Sequence, residues 1–115
     1  MMLPHAEQVI IPQRKLSEYL LSPTHRMGRA KAAFFTSFGF TLEDWEILAD
    51  ALRRHAVEHE VKTTEETPFG MNYVVEGVLR APDGRTPWIR VVWFIEAGED
   101  LPRLATAYPP KGAKK

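Results

Sequence analysis

The chain has 115 residues, 44% of them hydrophobic, with 15 basic and 15 acidic side chains and no cysteine. This length predicts one domain, over residues 1–110, followed by a basic tail at 111–115 that we expect to be disordered. The absence of cysteine excludes disulfides, zinc–thiolate sites and a thiol nucleophile, and the zero net charge excludes a strongly basic coat for nucleic acid. Residues 1–15 do not show the basic start and apolar run that are typical of a signal peptide, and no apolar run approaches roughly 20 residues. We therefore expect a cytoplasmic protein without membrane contact.

The first part of the chain predicts an extended arm and two helices. Residues 1–12 carry the apolar run Val9, Ile10 and Ile11 between Pro4 and Pro12, which is typical of an extended arm or a short edge strand. A first helix is predicted near 13–21, because the following Ser-Pro pair stops a helix. A second is predicted near 28–38, ending at Gly39 as a left-handed cap. The stripe that this second helix would bury consists of Met27, Ala30, Phe34 and Phe38.

A third helix, near 42–59, has the strongest pattern. Thr41 is placed to cap its N-terminus, and acidic residues in the first turn suit the helix dipole. Apolar residues recur at helical spacing along it. The core shared by helices and sheet is therefore predicted to contain Phe34, Trp45, Leu48, Leu52, Val91 and Trp93.

After residue 60 the pattern changes to strands. Residues 61–68 are a weak edge strand, and 72–80, 88–96 and 103–108 alternate as strands do. Turns such as the one at 82–85 are too short for parallel crossovers. The sequence thus predicts an α+β fold, with two or three N-terminal helices packed on an antiparallel sheet of three or four strands and the second sheet face partly open.

Several segments resemble a small bacterial domain family of unknown function, over nearly the whole chain. They are residues 19–35, 66–70, 73–77, 90–93 and 102–109. Members of that family stand alone or form the C-terminal ends of filamentous-haemagglutinin-type, contact-dependent inhibition toxins. The resemblance implies a toxin-like domain, often a ribonuclease of the barnase–colicin–RelE fold, and a cognate antitoxin or immunity protein as partner.

The first candidate site consists of His25, Arg29 and Lys31, which surround the start of the second helix. Unpaired N–H groups at a helix start attract anions, and basic side chains add to that field. One interpretation is a site for an RNA backbone, with His25 as general acid or base, Lys31 as a catalytic cation and Arg29 as a substrate-binding one. The alternative is that His25 fixes a loop, Arg29 pairs with a carboxylate and Lys31 is solvated.

The second candidate site lies on the predicted sheet. Arg90 interrupts an apolar strand, where an unpaired charge would be costly. It is either a catalytic arginine on the open face, with Thr106 and Tyr108 binding substrate beside it, or a partner of Glu76 in a cross-strand pair.

The sequence gives no reason to expect a cofactor or a metal. His55 and His59 have a spacing that metals can use, but no third ligand is evident, and an exposed helix end explains both. Two functions remain open: a metal-independent ribonuclease that acts through His25, Lys31 and Arg90, or a non-enzymatic module that binds a protein in a toxin–antitoxin or immunity pair.

Overall fold

The computed structural model describes residues 1–110, and the predicted tail at 111–115 lies outside the described residues. The chain forms three helices and then four strands, so the predicted α+β fold is confirmed. The helices are α1, whose α-helical turn Gln13–Lys15 continues as the π-helical turn Leu16–Leu20, then α2, Arg29–Thr36, and α3, Trp45–Glu58. The strands are β1, Val61–Thr67, β2, Gly70–Val78, β3, Trp88–Glu96, and β4, Arg103–Tyr108.

The strands form one antiparallel sheet in the order β1-β2-β3-β4. The weak strand predicted near 61–68 is thus present as the outer strand β1, and most of its residues are exposed. The N-terminal arm contains a 3-10 turn at Ala6–Gln8, and Ile10 then forms a single parallel bridge to Arg103. The arm therefore covers part of the free edge of β4.

The two faces of the sheet differ in burial. Ile89, Val91 and Trp93 of β3 are fully buried beneath the helices, whereas Trp88 is half exposed. The alternating residues Arg90 and Val92 are only partly buried, because side chains on successive strand positions point to opposite faces. We call this second face the open face; it carries Trp88, Arg90 and Val92 of β3 and their cross-strand neighbours Glu76, Val74, Tyr108 and Thr106.

Helix α3 supplies much of the core, but its N-cap residue is Asp44 rather than the predicted Thr41, and the Asp44 side chain makes no capping hydrogen bond. The Thr41 hydroxyl accepts a hydrogen bond from the Asp44 N–H at 3.1 Å, although the regular helix begins at Trp45 rather than at residue 42. Leu48 and Leu52 are completely buried. Of the six predicted core residues, these two, Val91 and Trp93 are fully buried, while Phe34 and Trp45 are partly buried and pack against the core.

The predicted buried stripe of α2 is wrong for Met27 and Ala30, which are exposed, whereas Phe34 and Phe38 are partly buried and pack against the core. Met27 lies before the helix and is 70% exposed, and the residues that α2 buries are Ala32 and Phe35. The chain reverses at Gly39, whose positive φ of 100° is the predicted left-handed cap. This turn brings Phe40 edge-on to Phe35 at 6.0 Å between ring centroids, which fixes the face that α2 turns inward.

Within residues 1–110, no helix combines the length and the apolar character needed to cross a lipid bilayer.

Candidate functional site

A tyrosine of α1 and a threonine of β4 join the helical layer to the edge of the sheet. The Tyr19 hydroxyl and the Thr106 hydroxyl lie 3.1 Å apart in a hydrogen bond between residues 87 positions apart in sequence. From the sequence pattern, Tyr19 is predicted only to belong to the apolar side of the first helix. Its phenol instead places a polar group beside Thr106, one of the predicted substrate-binding residues.

Two lysines lie against the same tyrosine ring. The Nζ atom of Lys31, from α2, is 5.5 Å from the centroid of Tyr19 and 5.8 Å from that of Tyr108, and the Nζ atom of Lys15 is 5.6 Å from that of Tyr19. These distances are within the range of cation–π attraction. The rings thus hold two ammonium groups near β4 without neutralising their charge.

Arg90 makes the predicted cross-strand pair on the open face. Its Nε lies 3.2 Å from Oε2 of Glu76, which faces it in the β2–β3 register. This buried Nε is in an ion-pair contact rather than an aligned hydrogen bond. Tyr108 of β4 stands opposite Arg90 on its other side. In such a pair the carboxylate can accept a proton and the guanidinium can stabilise an anionic phosphate. Phosphodiester cleavage requires both tasks.

His25 holds the loop before α2 through its Nδ1 atom. Nδ1 accepts hydrogen bonds from the N–H groups of Met27 and Gly28, each at 3.0 Å, so the neutral ring carries its proton on Nε2. The ring also lies edge-on to Tyr19, with 5.1 Å between centroids. These contacts agree with the interpretation in which His25 fixes a loop, and its catalytic role stays a prediction.

Gly28 makes this arrangement sterically feasible. A Cβ atom at this position would overlap the backbone oxygen of Tyr19 and would lie 2.9 Å from its ring. Only glycine lets the start of α2 approach α1 this closely. The glycine therefore places Lys31 and His25 next to the Tyr19 ring.

Five of the six predicted site residues are connected through these contacts. Tyr19 links His25, Thr106 and Lys31, and Tyr108 links Lys31 to Arg90. We call this set, with Tyr19 included, the β4-edge cluster; its members are Tyr19, His25, Lys31, Arg90, Thr106 and Tyr108.

The cluster borders two surface cavities, and Arg29 borders a third. His25 and Tyr19 line a cavity of about 640 Å³ with Arg14 and Lys15. Arg90 and Tyr108 line another, of about 530 Å³. Arg29 lies in a separate, mainly apolar cavity of about 790 Å³ between α2 and the start of α3. His25, Arg29 and Arg90 thus line three different cavities.

The expectation that His55 and His59 lie at an exposed helix end is wrong for His55. His55 is 1% exposed and donates from Nε2 to the Gly77 carbonyl at 3.2 Å, and His59 donates to the Val78 carbonyl at 3.0 Å. Burial lowers the pKa of His55 from its ordinary 6.5 to about 4, and the neighbouring His59 contributes to this. The two imidazoles anchor α3 to β2.

In the described part of the chain, no three histidine or acidic side chains come together in a way that could hold a metal ion.

The fold and the cluster define a small α+β domain whose candidate site lies where an antiparallel sheet meets its helical layer. The chain belongs to the DUF6883 family, a domain of unknown function, which matches residues 2–111. A similar solved structure is a chain of a contact-dependent growth inhibition toxin–immunity protein complex from Klebsiella pneumoniae 342, with a TM-score of 0.69, 13% identity, and coverage of 93% of this chain and 97% of that chain. At this identity the likeness establishes the fold. Among curated protein sequences no match is found.

Proposed function

We propose that the protein is a toxin-type domain that binds RNA at the β4-edge cluster and cleaves it without a metal ion. The observation that carries the proposal is the alignment of Lys31, Tyr108 and Arg90 beside Glu76 at one edge of the open face. Together they offer cations for a phosphate and a carboxylate for its proton transfers. The similarity of the fold to a chain of a toxin–immunity complex supports the same class of protein.

In this proposal Lys31 and Arg90 stabilise the negative charge that develops on the phosphate. Such preorganised charge is typically the largest contribution in catalysis of this kind. Local basicity does not conflict with zero net charge, because potentials depend on how charges are distributed. Lys15 adds a further cation beside Lys31, on the Tyr19 ring.

Replacing Lys31 by glutamine is expected to slow RNA cleavage by about 100-fold, the usual loss when one charge-stabilising group is removed. Arg29→Gln is the matched control, because it removes a charge from the same helix two positions away but from a separate cavity. Cleavage of total RNA by the purified protein is followed on gels, with and without a chelator. Equal loss in both variants, or activity that needs a divalent cation, would contradict the proposal.

Replacing His25 by asparagine distinguishes proton transfer from loop support. The asparagine amide oxygen can accept the N–H bonds of Met27 and Gly28, but it cannot act as acid or base. The contacts of His25 agree with loop support, and asparagine preserves both of its N–H bonds. We therefore expect His25→Asn to retain cleavage within about threefold, whereas His25→Ala loses more through a displaced loop. The measurement is the cleavage rate together with the free energy of unfolding.

The opposite result for His25→Asn would identify a catalytic role for His25. If His25→Asn abolishes cleavage and leaves the stability unchanged, the imidazole itself takes part in the reaction.

A second candidate function is a non-enzymatic module that binds a protein partner. It is favoured by the cavity of about 790 Å³ near Arg29, which is lined mainly by apolar side chains, among them the exposed Leu42. The absence of cleavage and of salt-dependent RNA binding, together with retained binding of a cognate protein, would select this function over the first.

A further inference from the structure

Two aromatic rings flank Arg90 on the open face. Trp88 precedes it by two positions in β3, so both side chains stand on the same face of the sheet. Tyr108 faces Arg90 from β4. Trp88 is 50% exposed although it is a large apolar side chain, which leaves much of its indole surface open to a ligand.

One carboxylate positions both the ring and the cation. The indole Nε1 of Trp88 donates to Oε1 of Glu76 at 3.4 Å, while Oε2 lies 3.2 Å from Nε of Arg90. The Glu76 side chain is only 13% exposed, so it is well shielded from solvent. The exposed indole is therefore held in place on the face and is not a freely rotating surface group.

The Lys31 ammonium group lies beyond Tyr108, 5.8 Å from the centroid of the Tyr108 ring. Rings and cations thus alternate across the sheet edge in the order Trp88, Arg90, Tyr108 and Lys31. Single strands of nucleic acid are bound by such combinations, in which bases stack on aromatic rings and phosphates lie against basic groups.

A base-paired helix does not suit this surface. In a duplex the base faces are already stacked on one another, and binding depends on contacts to phosphates and 2′-hydroxyls along the helix. Binding through phosphates alone needs many basic groups, whereas this chain has no excess of positive charge, and Glu76 offsets Arg90.

We infer that the ligand of the β4-edge cluster is an unpaired stretch of RNA, with bases stacked on Trp88 and Tyr108 and phosphates at Arg90 and Lys31. This inference rests on the proposed function, since it specifies which form of RNA that site takes. It adds Trp88 to the residues that determine specificity.

The test is fluorescence anisotropy with a labelled oligoadenylate whose riboses are 2′-O-methylated, so that the 2′-oxygen cannot attack the phosphate and binding is measured without cleavage. The single strand is expected to bind at least tenfold more tightly than the same strand annealed to an unmodified complement, which keeps the 2′-hydroxyls that duplex binding uses. Trp88→Leu and Tyr108→Leu should each weaken binding of the single strand by about tenfold, the usual effect of losing one stacking ring. Tyr108→Phe, which keeps the ring, should retain the affinity.

The control for an exposed aromatic residue is Phe69→Leu. Phe69 is 74% exposed and lies at the β1–β2 turn, at the end of β2 away from Trp88. This variant should bind as the unchanged protein does. Salt dependence provides a second readout: Lys31→Gln should reduce the slope of log affinity against log salt by about 0.7, since it removes one phosphate contact, whereas the ring variants should leave it unchanged.

Equal affinity for single strand and duplex, or an equal loss in Phe69→Leu, would overturn the inference and leave RNA cleavage itself standing. If unmodified RNA is neither cleaved nor bound, the proposed function fails as well. Each variant is first compared with the unchanged protein by thermal unfolding. If a leucine variant does not fold, the comparison of single strand with duplex on the unchanged protein keeps the test decisive.

Discussion

Replacing Leu52 by alanine is expected to lower the free energy of unfolding by about 2–5 kcal/mol. Leu52 is completely buried in the middle of α3, within the core between helices and sheet. The substitution removes its contribution to apolar burial and leaves a cavity that tightly packed neighbours fill only in part. Urea denaturation followed by circular dichroism measures the change.

Ile47→Ala is the control on the same helix. Ile47 is 47% exposed, so its truncation removes little buried surface and should cost less than about 1 kcal/mol. A loss below that value for Leu52→Ala would mean that α3 presents a different face to the sheet.

Acidification from pH 6.5 to pH 4 is expected to cost the protein about 3 kcal/mol through His55 alone, since each unit of pKa difference corresponds to about 1.4 kcal/mol. Burial lowers the pKa of His55 to about 4 in the folded protein, against 6.5 for an exposed imidazole. In this range the unfolded chain binds a proton that the folded protein does not. The stability is therefore fully present above pH 6.5 and declines as the pH falls towards 4.

His55→Gln isolates this contribution. The glutamine amide can still donate to the Gly77 carbonyl but does not titrate. Carboxyl groups also titrate as the pH falls: the Arg80 side chain lowers the pKa of Glu58, and Arg85 that of Asp83. The informative quantity is thus the difference between the two pH profiles of the unfolding free energy.

His5→Gln serves as the control, because His5 is exposed. Its profile should follow that of the unchanged protein. Parallel profiles for His55→Gln and the unchanged protein would show that His55 is protonated in the folded state as readily as in the unfolded one.

The elements with strong local signals could be predicted from the sequence. The alternation in 88–96 depends on neighbouring residues and appears in the structure. Thr41 also makes a local hydrogen bond, but this bond closes the turn before α3 and does not cap the helix. The buried face of α2 could not be predicted from the sequence, because the helix spans only Arg29–Thr36 and two turns do not define a periodicity well. Its orientation is set by the contact of Phe35 with Phe40 after the chain reverses.

The candidate site was predictable in its residue types but not in its connections. An arginine in an apolar strand needs a partner, and Glu76 is that partner in the structure. The link between Tyr19 and Thr106 joins residues 87 positions apart, and no local pattern encodes it. The burial of His55 was missed for a similar reason, since its acceptor, the carbonyl of Gly77, lies on a strand 22 positions away.

The contact between α1 and β4 also determines when the candidate site forms during synthesis of the chain. Chains are made from the N-terminus onward, and domains fold as they emerge. Lys31 and Tyr19 are synthesised before Thr106 and Tyr108, which belong to β4, the strand that follows the other elements within residues 1–110. A nascent chain that lacks β4 has neither the partner of the Tyr19 phenol nor the second ring beside Lys31. Under the proposed function, a ribosome making this protein is therefore not exposed to an assembled site until β4 has left it.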